Sequence, residues 1–159
     1  MNTFGEKIRV TVFGQSHAPA IGVTVDGLPC GVSIDQDELY KFMLRRAPGT
    51  SNTSTSRKEA DRPVIVSGLN DKGLTCGAPL TALIYNSDAH SKDYSELFMR
   101  PRPSHADFPA WIRYGENYDI RGGGQFSGRL TAPLCIAGGI LMQILRTKGI
   151  HIGAHILSV

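Results

Sequence analysis

Apolar and β-branched residues alternate with others between Ile8 and Phe13, and again between Ile21 and Asp26. A period of two predicts two strands. The short link between them, Gly14 to Pro19, carries His17, which places that imidazole in a connection and outside any core. After a turn at Gly27 to Gly31 the pattern changes. Asp35 followed by Glu38 starts a helix in the manner of a capping box, Leu39, Phe42 and Met43 share one face, and Pro48-Gly49 stops it. Arg45 and Arg46 fall in its last turn. Residues 49 to 57 are almost wholly small and polar with no apolar period, so they form a loop. Further strands are predicted at Val64 to Leu69 and Leu80 to Tyr85, and residues 86 to 104 read as irregular.

A short helix from Ala106 to Tyr114 tolerates Pro109 in its first turn, where a missing N–H does little harm. The strongest helical signal comes next. Ser127 is a natural N-cap, Leu130, Leu134, Ala137, Leu141 and Leu145 fall on apolar faces, and Gly149 ends the helix after Arg146 and Lys148. Apolar character nearly all round predicts burial. Ile150, Ile152, Ala154 and Ile156 then alternate as a strand that runs to Val159 with no polar tail, the pattern of a truncated chain. Gly27-Leu-Pro-Cys-Gly31 resembles Gly73-Leu-Thr-Cys-Gly77 over five residues only, too little for a repeat, and no domain boundary is visible.

At 159 residues, 41% hydrophobic and 19% charged, the chain has the make-up of one ordinary globular core with no disordered or fibrous bias. A net charge of +3 is too mild to argue for nucleic acid, but eleven of the seventeen basic residues are Arg, the side chain that grips phosphate or carboxylate through two parallel hydrogen bonds. Cys30, Cys76 and Cys135 are widely spaced with no metal-binding pattern, so free thiols in a reducing cytoplasm are expected and no metal is. Glu6, Lys7 and Arg9 interrupt the N-terminus and argue against a secretory signal. The longest uncharged apolar run, Ala132 to Leu145, is too short to span a bilayer, so no membrane role is expected.

The densest potential for anion binding lies between Arg100 and Arg129, where arginines 100, 102, 113, 121 and 129 accompany His105 and a Gly122-Gly123-Gly124 loop that leads into a helix. Glycines permit close backbone approach, and the first N–H groups of the helix offer a positive end for phosphate. The same loop also reads as a tight structural turn, since it fits neither the P-loop nor the dinucleotide spacing. The arginines read equally as partners of Asp107, Glu116 and Asp119, and Arg45 and Arg46 as complements to a helix C-terminus. His17 and His105 are the groups best placed to move protons near neutral pH. His90, His151 and His155 read as surface residues, the last two without a third ligand in view.

Three separated motifs occur in one order: Gly14-Gln-Ser-His-Ala18, Arg102-Pro-Ser-His-Ala-Asp107 and Gly122-Gly-Gly-Gln-Phe-Ser-Gly-Arg-Leu-Thr-Ala132. With Arg45-Arg46-Ala47-Pro48-Gly49-Thr50-Ser51, Ser91-Lys-Asp-Tyr94 and Tyr118-Asp-Ile-Arg121, they resemble the signatures of the chorismate synthase family over essentially the whole chain. Against those signatures Gln15 stands for an acid, Ala18 and Ser104 for glycines, Ala47 for an arginine, Asn52 where an arginine is often found, and Gln125, Phe126 and Leu130 for Arg, Ser and Glu. Should the glycine at position 104 use a positive φ, Ser104 adopts it at a cost.

The resemblance implies an α/β fold, part of a β-α-β sandwich, with residues 1–159 as the N-terminal portion of a single domain whose C-terminal half is absent. It implies a lyase that converts 5-enolpyruvylshikimate 3-phosphate to chorismate and phosphate by trans-1,4 elimination with reduced FMN, and NADPH as well where such an enzyme is bifunctional. His17 would protonate the departing phosphate and His105 the reduced flavin. Ser16, Arg46, Arg102 and Arg129 would grip the substrate, and Gln125, Phe126 and Ser127 would contact FMN. A cytoplasmic homotetramer is the implied parent, in which this portion alone holds an incomplete site. A non-catalytic anion- or flavin-binding module is the alternative, and a structural or nucleic-acid-binding domain a third, distinguished by salt-sensitive nucleic-acid binding.

Overall fold

The computed structural model describes residues 2–46, 61–86 and 100–158. Five strands, β1 (Thr3–Phe4), β2 (Arg9–Gly14), β3 (Ala20–Asp26), β4 (Val64–Ser67) and β5 (Leu80–Tyr85), form one antiparallel sheet in the order β1-β2-β3-β5-β4. Three helices accompany them: α1 (Gln36–Leu44), α2 (Asp107–Tyr114) and α3 (Thr131–Arg146). The fold is mixed α/β, as expected.

Alternation sets the two faces. Ile21, Val23 and Val25 of β3 and Leu80, Ala82 and Ile84 of β5 point into the core, where α3 covers them and α1 packs against α3. The opposite face carries Thr24 hydrogen-bonded to Thr81 and, near the edge, Thr3 to Thr11. Asp35 caps α1 as its spacing predicts, accepting from the backbone N–H groups of Asp37 and Glu38 at 2.9 Å, and the helix buries Leu39 and Met43. α2 begins one residue after the predicted start, with Pro109 in its first turn.

Four expectations change. β4 stops at Ser67, two residues short of Leu69. The register shifts between Ile65 and Ser67, and Gly68 follows at φ 93° so close to β5 that a Cβ there would lie 2.3 Å from the Leu80 Cα. In α3 the buried row is Ala132, Ile136, Ile140 and Ile144, while Leu134, on the face the pattern singled out, is exposed. Ser127 caps a 3-10 turn over Gly128–Leu130 that leads into α3 at Thr131. Although Arg121–Arg146 is long and apolar enough by composition to cross a membrane, its α-helical part packs in the core.

Residues 150 to 158 form no strand. Ile150, Ile152 and Ile156 are exposed, and no strand pairs with them among the described residues. Alternation gives a segment two faces, but hydrogen-bonding neighbours make it a strand. The expected loop at 49 to 57, His90 and most of the 86 to 104 segment lie outside the described residues.

Candidate active site

The antiparallel turn from β2 into β3 carries Gln15 to Pro19, and Asn86 at the end of β5 fastens it. The Asn86 side-chain amide donates to the carbonyls of Gln15 at 3.2 Å and Ala18 at 2.7 Å, and its backbone N–H donates to Pro19. The Ser16 N–H donates to the Gly124 carbonyl at 3.1 Å, which joins this turn to the glycine loop. Ser16 is buried and His17 half-buried there.

Gly122, Gly123 and Gly124 all have positive φ, at 58°, 84° and 54°. Their close approach is to the two histidines. A Cβ on Gly122 would lie 2.3 Å from His17 Cε1, 2.4 Å from its Nδ1 and 2.8 Å from Ser16 Oγ. One on Gly123 would lie 3.0 Å from His105 Cε1, 3.1 Å from its Nε2 and 3.6 Å from the Arg102 guanidinium. Ser16, His17, Arg102 and His105, which span ninety residues of sequence, therefore meet around two adjacent glycines. The positive φ favours glycine at both, and at Gly122 the space against His17 does so as well.

Asp107, buried at the start of α2, organises the second histidine. Arg102 grips its carboxylate from Nε at 2.7 Å and from the terminal nitrogen at 2.9 Å, and the Arg102 N–H adds a third bond at 3.0 Å. The Arg102 side chain, a little over a third exposed, thus has a fixed orientation. His105 Nδ1 lies 2.7 Å from the same carboxylate. Held ionised, that carboxylate only accepts, so Nδ1 carries the proton and Nε2 faces Gly123. Hydrogen bonding from Arg102 outweighs burial and holds the Asp107 carboxyl down to about 2. Tyr118 donates to the Asp107 carbonyl at 3.2 Å, and burial raises its phenol above the ordinary value. Ser104, just before His105, has φ 59°, the positive value its place in the motif demands.

Arg46 and Arg129 form a second cluster. Both reach one buried carboxylate, Asp61, at 2.6 and 2.8 Å. Arg129 also donates from Nε to Asn86 at 2.8 Å, and Arg46 extends to Thr131 Oγ1 at 3.3 Å. Arg129 is buried, whereas a quarter of the Arg46 side chain is exposed. Asn86 links this cluster to the His17 turn. Arg121 takes up Asp119 through Nε and a terminal nitrogen, both at 2.8 Å, which holds the Asp119 carboxyl below the usual range, with the nearby His17 adding to the effect. The pairing of Arg102 and Arg121 with neighbouring acids, one of the two readings open from sequence, is thus what the structure contains. Ser127 spends its side chain on the Arg129 N–H at the helix start.

Sequence reasoning missed Asp61 and Asn86. Neither belongs to a motif, and an acid before Arg62-Pro63 or an asparagine after a strand carries no signal of its own. Asp61 sits at φ 45°, an uncommon conformation for a non-glycine, held by the two arginines.

Of the residues the resemblance assigns to a flavin, Gln125 and Ser127 line an open, mostly apolar groove of about 250 Å³ with Phe4, Val12, Leu130 and Leu134. A flat aromatic ring fits such a wall, with Gln125 as the polar contact. Phe126 does not line it. That ring is partly exposed and lies 6.4 Å from Tyr114. Gln125 also borders a second cleft of similar size with Gln15, Tyr118 and Asp119. No group of three or more His, Cys, Asp or Glu that could hold a metal occurs among the described residues.

The sequence model of the chorismate synthase family matches residues 8–159. Curated chorismate synthases from Lancefieldella parvula and Methanobrevibacter smithii are 51% and 43% identical, each over 99% of this chain. The chain spans 41% and 43% of their lengths. A crystal structure of chorismate synthase superposes with a TM-score of 0.63 at 21% identity, over 92% of this chain and 36% of that one.

Proposed function

Because the chain belongs to the chorismate synthase family, we propose that it supplies the two-histidine part of a lyase site that converts 5-enolpyruvylshikimate 3-phosphate to chorismate and phosphate. The observation that carries this reading is the meeting of Ser16, His17, Arg102 and His105 on Gly122 and Gly123. Such an elimination needs a proton for the departing phosphate, an acceptor for the ring hydrogen lost with it, which bound flavin would supply, and fixed positive charge for the anions.

His17, beside Ser16, donates the proton to the leaving phosphate. Arg102, held in place by Asp107 and beside His105, contributes fixed positive charge for an anion. Arg46, partly exposed and joined to Arg129 through Asp61, adds charge, while buried Arg129 holds Asp61 and Asn86 in place. His105 keeps its proton on Nδ1 through Asp107, and its Nε2, 3.4 Å from the Arg102 guanidinium, is the nitrogen that would exchange a proton with the cofactor. Reduced FMN, when bound, supplies electron density to the reacting ring. Gln125 and Ser127 form part of its wall. The same reading carries a cytoplasmic, homotetrameric parent.

The test joins this chain to the segment that the Lancefieldella parvula relative carries beyond the matched region. Chorismate should form from the substrate with reduced FMN, and His17→Ala and His105→Ala should each lower kcat by about 100-fold or more, the usual contribution of a positioned acid or base. A joined protein that binds phosphate yet makes no chorismate would support the non-catalytic alternative, and full turnover in both variants would overturn the assignment of the histidines.

A further inference from the structure

The two similar pentapeptides, Gly27 to Gly31 and Gly73 to Gly77, lie side by side. The Gly31 N–H donates to the Thr75 carbonyl at 2.7 Å and the Thr75 N–H to the Val32 carbonyl at 2.9 Å, while Ser33 bridges Leu74 antiparallel. With Gly31 at φ 82°, this is a bulge in which Gly31 and Val32 oppose the single residue Thr75. Cys30 sits in the turn just before Gly31 and Cys76 just after Thr75, so the two cysteines flank this contact. The Cys76 N–H points to the other side, to the Gly68 carbonyl at 3.1 Å. A disulfide needs the two Cα atoms within roughly 4.4–6.8 Å.

The Cys30 side chain points toward Cys76. Cys30 Sγ contacts the Thr75 carbonyl oxygen at 3.4 Å. Standard peptide dimensions put that oxygen within about 3 Å of the Cys76 Cα, so the sulfur is within about 6 Å of it. Both thiols are exposed, whereas Cys135 on α3 is half-buried. The Thr75 hydroxyl ties the two segments together, donating to the Pro29 carbonyl at 2.6 Å and accepting from the Val32 N–H at 2.9 Å.

We propose that Cys30 and Cys76 form a dithiol site that small-molecule disulfides such as oxidised glutathione convert to an intrachain disulfide. One cysteine thiolate attacks the small disulfide, forms a mixed disulfide and releases one thiolate, which takes up a proton. The second cysteine, as thiolate, attacks the protein-side sulfur, closes the Cys30–Cys76 bond and releases the second thiol. Two protein thiols are oxidised and one disulfide is reduced to two thiols. The pair lies at the Asp26 end of β3, about 20 Å along the strand from the His17 turn. Closure links the β3–α1 connection to the β4–β5 connection without touching the histidines.

The test treats the chain with excess oxidised glutathione, alkylates the remaining thiols and maps them by mass spectrometry after proteolysis. Free thiols should fall from three to one, with Cys30 and Cys76 in one cross-linked peptide pair and Cys135 alkylated. Cys76→Ser should stop at a glutathione adduct on Cys30. Separate stable adducts on Cys30 and Cys76 in the unsubstituted chain, a bond to Cys135 or to a second chain, or three unreacted thiols would each overturn the proposal.

Discussion

At Gly122 and Gly123 the useful property is the absence of a side chain, because the space that a Cβ would fill holds the imidazoles of His17 and His105. Ser104 occupies the neighbouring φ of 59° without that freedom. A left-handed L-residue costs roughly 1–2 kcal/mol, partly offset by the greater unfolded-state entropy of glycine, so Ser104→Gly should stabilise the chain by about 0.5–1 kcal/mol in urea denaturation. Asp107 gives a pH signature. Its folded-state value is depressed from 3.8 to about 2, so its contribution is fully present above pH 4 and is lost as pH falls through 2. The stability gap between the unsubstituted chain and Asp107→Asn should therefore shrink by about 2 kcal/mol across that window. The demand for a positive φ at 104 was legible from the motif. Asp61 was not, because a carboxylate shared by Arg46 and Arg129 is fixed by long-range folding that leaves no local pattern.

β5 was legible to the residue and so was the start of α1, because each presents a single apolar face; α1 ends at Leu44 with Arg45 as its C-cap, so Arg45 and Arg46 lie beyond the last turn the sequence assigned them. α3 was legible as a buried helix but not in its orientation. With apolar residues all round, only packing against β3 and α1 selects the row from Ala132 to Ile144. Its paired glycines separate the two sides. A Cβ at Gly139 would meet Leu39 Cδ1 at 2.6 Å and Phe42 at 3.1 Å, while one at Gly138 meets nothing within 4 Å. Gly139→Ala should thus destabilise by about 1–3 kcal/mol through overpacking, whereas Gly138→Ala should stabilise by up to about 1 kcal/mol through helix propensity. Thermal melts of the two variants should move in opposite directions. Residues 150 to 156 show the converse limit, since their alternation has no strand beside it.

In the whole molecule, the sheet brings the Gly14–Pro19 turn and Asn86 to one edge of the core, and the chain from Arg102 to Arg129 folds back across that edge. The order of the motifs was legible in sequence. Their convergence was not, because it depends on β3 pairing with β5 and on a glycine loop whose close contacts are internal. That convergence is the central claim, and it can be measured on the chain itself by following the Cε1–H resonances of all histidines during titration with inorganic phosphate. His17 and His105 should move together along one binding curve, and Gly122→Ala should remove the response at His17. Independent curves for the two, or shifts confined to the exposed His151 and His155, would contradict a shared site.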